Sequence, residues 1–150
     1  MLKVGGRRFF YNNHFFDAPR WMTRSLGRVI TEYSNLYHKI GQLVLSLSPN
    51  IEVSKVREID LLKICRKVLL EEETIPRETT EEFYTKANDV RLRRNKAIHT
   101  YFAPYYQYKN LPSRSPEKII LKKLVSDINI VRDLVRKLDS LRVRRNNASL

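Results

Sequence analysis

The chain has 150 residues, 42% of them hydrophobic and 30% charged, a balance that suits one folded domain with a real core and excludes a disordered chain. Lys and Arg exceed Asp and Glu to give a net charge of +13, which points to a polyanionic partner: nucleic acid most simply, or an acidic protein. Only 4 Gly and 6 Pro interrupt the sequence, which favours helix over sheet.

Residues 1–17 read as a basic and aromatic arm, with Lys3, Arg7 and Arg8 ahead of Phe9, Phe10, Tyr11, Phe15 and Phe16. Such a mixture suits RNA bases and phosphates, and equally suits packing on a helical body or on a second subunit. Asp17 and Pro19 then provide a cap and a first-turn proline for a helix over 18–47. Met22, Leu26, Val29, Tyr33, Leu36, Ile40, Leu43 and Leu47 alternate spacings of four and three, an unbroken heptad stripe that demands partner helices. Ser48-Pro49-Asn50 ends it.

A second helix is expected over 55–72, with Ile59, Leu62, Cys65 and Leu69 on one face. Cys65 is the one cysteine, so no internal disulfide forms, and its apolar neighbours make it a small core residue. Thr79 to Glu82 has capping-box spacing and predicts a third helix over 80–102, stopped by Pro104. Its apolar stripe runs through Phe83, Ala87, Val90, Ala97 and Tyr101, and Arg94 falls on that stripe. A cation there must be paired or used, because desolvating it is costly.

A loop over 103–114 carries Tyr105, Tyr106, Tyr108 and Lys109, which can stack RNA bases or cover the open end of the helices. Ser115-Pro116-Glu117 starts a fourth helix over 116–143, with Leu121, Leu124, Ile128, Val131, Val135 and Leu138 as its core stripe. A basic tail occupies 144–150. The fold class is therefore all-α, an antiparallel four-helix bundle over 18–143. No apolar run approaches a membrane span and no signal-peptide core is visible, so the chain is expected in the cytoplasm.

The chemistry concentrates in Arg94-Asn95-Lys96-Ala97-Ile98-His99-Thr100-Tyr101. Arg94 can hold a phosphate and His99 can move a proton near neutral pH, which is most of what phosphodiester cleavage requires. Asn95 can orient a phosphate or the imidazole. Tyr101 is a core aromatic, or its hydroxyl lines a groove. Arg91, Arg93 and Lys96 surround the motif as RNA-binding cations, joined by Tyr105 and Lys109 from the following loop. Asn95 and His99 share a helix face, but Arg94 and His99 lie five residues apart, about 140° around the helix. One helix alone makes a poor site, so the long reach of the arginine, helix unwinding before Pro104 or a second copy of the chain must bring the two groups together. The histidines show no metal-ligand spacing with acids or Cys65, and no phosphate-binding glycine loop occurs; no metal or cofactor is expected.

The run R-N-x-x-x-H-x-Y at the end of a long helix, in an all-helical chain of this size, resembles the HEPN superfamily. The tyrosine two residues after the histidine resembles the toxin half of HEPN–nucleotidyltransferase toxin–antitoxin pairs. The resemblance implies a homodimeric, metal-independent endoribonuclease acting as a toxin or antiviral effector. It places Arg94, Asn95 and His99 in the catalytic site and makes Tyr101 an AMPylation target of an antitoxin nucleotidyltransferase. The alternative from the residues is a non-catalytic helical module that grips RNA or an acidic protein partner.

Overall fold

The structure is a computed structural model; it describes residues 20–101 and 116–148, with side chains through Arg142. Four helices make up the described chain: α1 (Arg20–Leu47), α2 (Glu58–Leu70), α3 (Arg77–Tyr101) and α4 (Pro116–Ala148). Each packs on the next, α4 closes back on α1, and α1 also touches α3, so the four form one helical bundle.

The heptad stripe of α1 is the spine of the core. Met22, Leu26, Val29, Tyr33, Leu36, Ile40 and Leu43 are all buried, and Leu47 packs half-buried at the end. Against them lie Leu61, Leu62, Cys65 and Leu69 of α2, Phe83, Ala87, Val90, Ala97 and Tyr101 of α3, and the whole expected stripe of α4 from Leu121 to Leu138. Ile59, read from sequence as a core position of α2, is only half-buried; Leu61 takes the buried position instead.

After α1 the backbone turns at Ser48, whose N–H still donates to Val44, and passes through a 3₁₀ turn at Val53–Lys55. Gly41 makes room for that turn: a Cβ there would meet Val53 Cγ1 at 3.0 Å. The Tyr37 hydroxyl then donates to the Val56 carbonyl at 3.2 Å and pins the connection to α1.

Four boundaries differ from the sequence expectation, the smallest being the end of α2 at Leu70 and not at 72. Helix α2 starts at Glu58 and not at 55, because Val56 and Arg57 adopt extended backbone and so break the helical run. Helix α3 starts at Arg77, before the Thr79–Glu82 box. The Pro76 carbonyl accepts from Thr79 N–H at 3.0 Å and Thr80 N–H at 3.3 Å, which puts Thr79 inside the first turn and not at the cap. Helix α4 continues to Ala148, through most of the stretch read as a tail. The Asp17 cap, the 1–17 arm and the 103–114 loop lie outside the described residues.

Ion pairs tie neighbouring helices together around the ring. Glu32 of α1 meets Arg132 of α4 at 2.9 Å, and Arg93 of α3 meets Asp127 of α4 at 2.7 Å. Arg66 of α2 grips both carboxylate oxygens of Glu81 on α3, at 2.6 and 2.9 Å. The last pair is more than a third exposed on each side and contributes direction more than stability.

Gly27 sits in the middle of α1 on its exposed face, with nothing within 4 Å of where a Cβ would be. Glycine in a helix interior costs about 0.5–1 kcal/mol relative to alanine. Gly27→Ala is therefore expected to raise the unfolding free energy by about that amount, and Gly41→Ala to fall below it because of Val53. Urea denaturation of the two variants checks the order; a Gly27→Ala protein no more stable than Gly41→Ala would contradict it.

Candidate functional site on α3

The buried stripe of α3 steps from Val90 to Ala97 with Arg94 between them, and the structure shows what holds that cation. Its guanidinium makes a very close ion pair with the Glu58 carboxylate at the start of α2. It also lies over the ring of Tyr33 from α1, 4.2 Å from the centroid, within cation–π range. The Arg94 side chain is only 17% exposed and its Nε is buried without a hydrogen-bond partner among the described residues. Glu58 therefore neutralises the charge without saturating the guanidinium donors.

These residues edge a shallow cavity of about 150 Å³. Tyr33, Tyr37, Ile30 and Ser34 of α1 form one wall, and Arg94 and Ile98 of α3 another, with Glu58 at the rim. The local electrostatics follow from burial. Burial pushes the Tyr33 phenol up to about 12, with the Glu58 carboxylate adding to the rise and Arg94 opposing it. Tyr37 is raised for the same first reason, burial, and then by Glu58. Burial alone pushes the Cys65 thiol up to about 12, the behaviour of a core residue and not of a nucleophile.

The other motif residues are distributed around α3. His99 is exposed and does not line the cavity that Arg94 edges; Ile98 does. Asn95 is half-buried one helical turn before His99. Tyr101 is buried at 7% exposure on the core side. Within one chain, the fold leaves Arg94 and His99 on different sides of α3.

Of the expected RNA-binding cations, Arg91 donates through Nε and Nη2 to the Asn88 side chain at 3.1 and 2.9 Å. Arg93 is shared between Asp89 at 3.0 Å and Asp127 at 2.7 Å, and those carboxylates hold its pKa up against burial. Lys96 is exposed and has no carboxylate within bridging distance among the described residues. Tyr105 and Lys109 lie outside the described residues. Glu58 was not visible as a site residue from sequence. Its partner lies 36 positions away, beyond any helical window, and its only local signal is an acid in the first turn of α2.

No family model, curated protein or solved structure matches the chain. Among the described residues no three His, Cys, Asp or Glu side chains cluster as ligands for a metal ion would, and no helix is long and apolar enough to cross a membrane.

The raised pKa of Tyr33 gives a pH test. The folded state holds this proton more tightly than the unfolded chain, so its contribution to stability is full below pH 10 and is lost as pH rises toward about 12. Wild type is expected to lose stability over that interval faster than Tyr33→Phe. Parallel alkaline curves for the two proteins would show that Tyr33 is not held in this way.

Proposed function

We propose that the chain is a metal-independent endoribonuclease of the HEPN type, working as a homodimer of antiparallel four-helix bundles in a toxin–antitoxin or antiviral setting. The observation that carries this reading is the Arg94-Asn95-x3-His99-x-Tyr101 run at the end of α3, in a bundle that spends core space on Arg94. An exposed His99 supports it, because a proton carrier must be reachable by its substrate.

The second subunit follows from the outer face of α3. Leu92 is 51% exposed, and seven residues bring His99 back to within about 20° of the same direction, with Lys96 between them. An α3 from another chain laid along the Asn95 edge, about 60° from Leu92 and between the directions of Arg94 and His99, covers part of Leu92 and brings its own Arg94 edge toward His99. The groove between the two α3 helices then takes the RNA.

The chemistry is attack by a ribose 2′-oxygen on the adjacent phosphorus. The O2′–P bond forms as the P–O5′ bond breaks, leaving a 2′,3′-cyclic phosphate and a 5′-hydroxyl. His99 takes the 2′-proton or supplies one to the leaving oxygen. Arg94 offsets the charge that builds on the phosphoryl oxygens, with Tyr33 and Glu58 fixing the plane of its guanidinium. Asn95 orients the phosphate or the imidazole. Tyr101 is the residue that an antitoxin nucleotidyltransferase would AMPylate.

The capture of Arg94 by Glu58 and Tyr33 favours one other function: a non-catalytic module in which Arg94 only joins helices and the basic surface grips RNA or an acidic protein. Cleavage assays separate the two. Arg94→Ala and His99→Ala are each expected to abolish RNA cleavage, the second by about 10²–10⁴-fold as befits a lost general acid–base, with RNA binding kept by His99→Ala. Activity should persist in EDTA. Cleavage that needs added magnesium, or that survives His99→Ala, leaves the binding module in its place.

The dimer has its own test. Leu92→Glu is expected to run as a folded monomer in analytical ultracentrifugation where wild type runs as a dimer. A wild-type monomer at micromolar concentration would remove the shared groove.

A further inference from the structure

We propose that the outer face of α1 is an RNA track, on which a single strand lies before it enters the groove at α3. Arg24, Arg28, Thr31, Asn35 and His38 are all exposed, and each stands two residues after a buried heptad position. Two residues are about 200° of helix, so this row is the back of the core stripe. Arg20 extends it by one turn toward the start of α1.

Ion pairing separates this face from the helix seams; Arg77 and Arg91 of α3 likewise have no carboxylate within bridging distance among the described residues. Arg57, Arg66, Arg93, Arg94, Arg132, Arg136 and Arg142 each have a carboxylate within bridging distance. Arg20, Arg24 and Arg28 have none among the described residues. The one acid of α1 is Glu32, and it is turned to Arg132 at 2.9 Å. Three like charges one turn apart repel each other. Among the described residues the first turn of α1 contains no acid. The helix carries these penalties without an internal partner, and a polyanion relieves all of them together.

Gly27 is a second, independent observation. It lies among Arg24, Arg28 and Thr31 on this face, and nothing in the fold fills or requires the space of its missing Cβ. A glycine there lets a sugar–phosphate chain approach the α1 backbone between two guanidinium groups. The row also leads to the site. Ser34 stands between it and Ile30 around the helix and is itself part of the cavity wall that Arg94 edges. A strand on α1 reaches Arg94 without meeting an acidic side chain of α1. A row of arginines on an acid-free helix face, with no apolar anchor among them, fits the repeating charge of a phosphate backbone more closely than a folded acidic protein.

The inference rests on RNA being the ligand of the α3 site, and the test keeps the two apart. The probe is a labelled single-stranded 2′-O-methyl RNA, which cannot be cut by 2′-oxygen attack, so binding is read without turnover. Arg24→Gln/Arg28→Gln is compared with Lys63→Gln/Lys67→Gln. The second pair removes the same charge, at the same spacing, from exposed positions on α2. The α1 double variant is expected to bind roughly tenfold more weakly, with a salt-dependence slope lower by about 1.4, or about 0.7 for each phosphate left without its arginine. The α2 double variant should match wild type. Gly27→Gln, which adds bulk and keeps the charge, should weaken binding while leaving the fold intact by circular dichroism.

Equal losses from the α1 and α2 pairs would overturn the track in favour of overall charge, and so would no loss from the α1 pair. Binding of polyglutamate as tight as that of RNA, and abolished in the α1 variant, would assign the face to an acidic protein. If wild type fails to bind the RNA at all, the ribonuclease function falls with it.

Discussion

A guanidinium inside an apolar stripe is the constraint on which the rest of this structure depends. The α3 helix offers Phe83, Ala87, Val90, Ala97 and Tyr101 to the core and puts Arg94 between them. Removing such a group from water costs several kcal/mol unless a partner restores what hydration gave. The fold supplies two partners from two other helices: the Glu58 carboxylate and the Tyr33 ring. Their demands set local geometry. The start of α2 must come level with Tyr33 and Arg94, which fixes how far the 48–57 connection runs back along α1. Tyr37 donating to Val56, and Gly41 yielding space to Val53, complete that return.

The same constraint divides the charge of the molecule. Four acids join one helix to another: Glu32 to Arg132, Glu58 to Arg94, Glu81 to Arg66 and Asp127 to Arg93. The net charge of +13 is therefore not spread evenly. Cations inside the ring are neutralised at helix seams. Those outside it, on the back of α1 and at Lys96, face solvent without acids. A polyanion meets an already sorted surface, attractive on some faces and neutral at the seams.

Periodicity made the core legible. Every interior position of the α1 heptads and of the α4 stripe is buried, because a stripe sustained over about five or more turns has one packing solution. Ends were less legible, for local reasons. Thr79 and Glu82 have the spacing of a capping box, but Pro76 offers its carbonyl first and the helix begins there. Val56 and Arg57 look permissive for helix and are held extended as the chain returns along α1. At the site, the position of Arg94 on an apolar stripe announced that the charge would be paired or used, and the fold pairs it. Its partner could not be named, since nothing in the sequence around Glu58 distinguishes it from other acids near helix starts. The separation of Arg94 and His99 was legible as an angle, and the fold keeps it: one edges the cavity and the other faces outward.

The proposed cleavage depends on Arg94 and His99 acting across two chains. Mixing inactive Arg94→Ala with inactive His99→Ala, under conditions where subunits exchange, measures that directly. In a shared site each mixed dimer regains one intact pair, Arg94 from one chain and His99 from the other. Random exchange at equal amounts should restore about a quarter of wild-type cleavage, because half the dimers are mixed and each has one working site of two. A mixture that exchanges subunits and stays inactive would contradict the shared site.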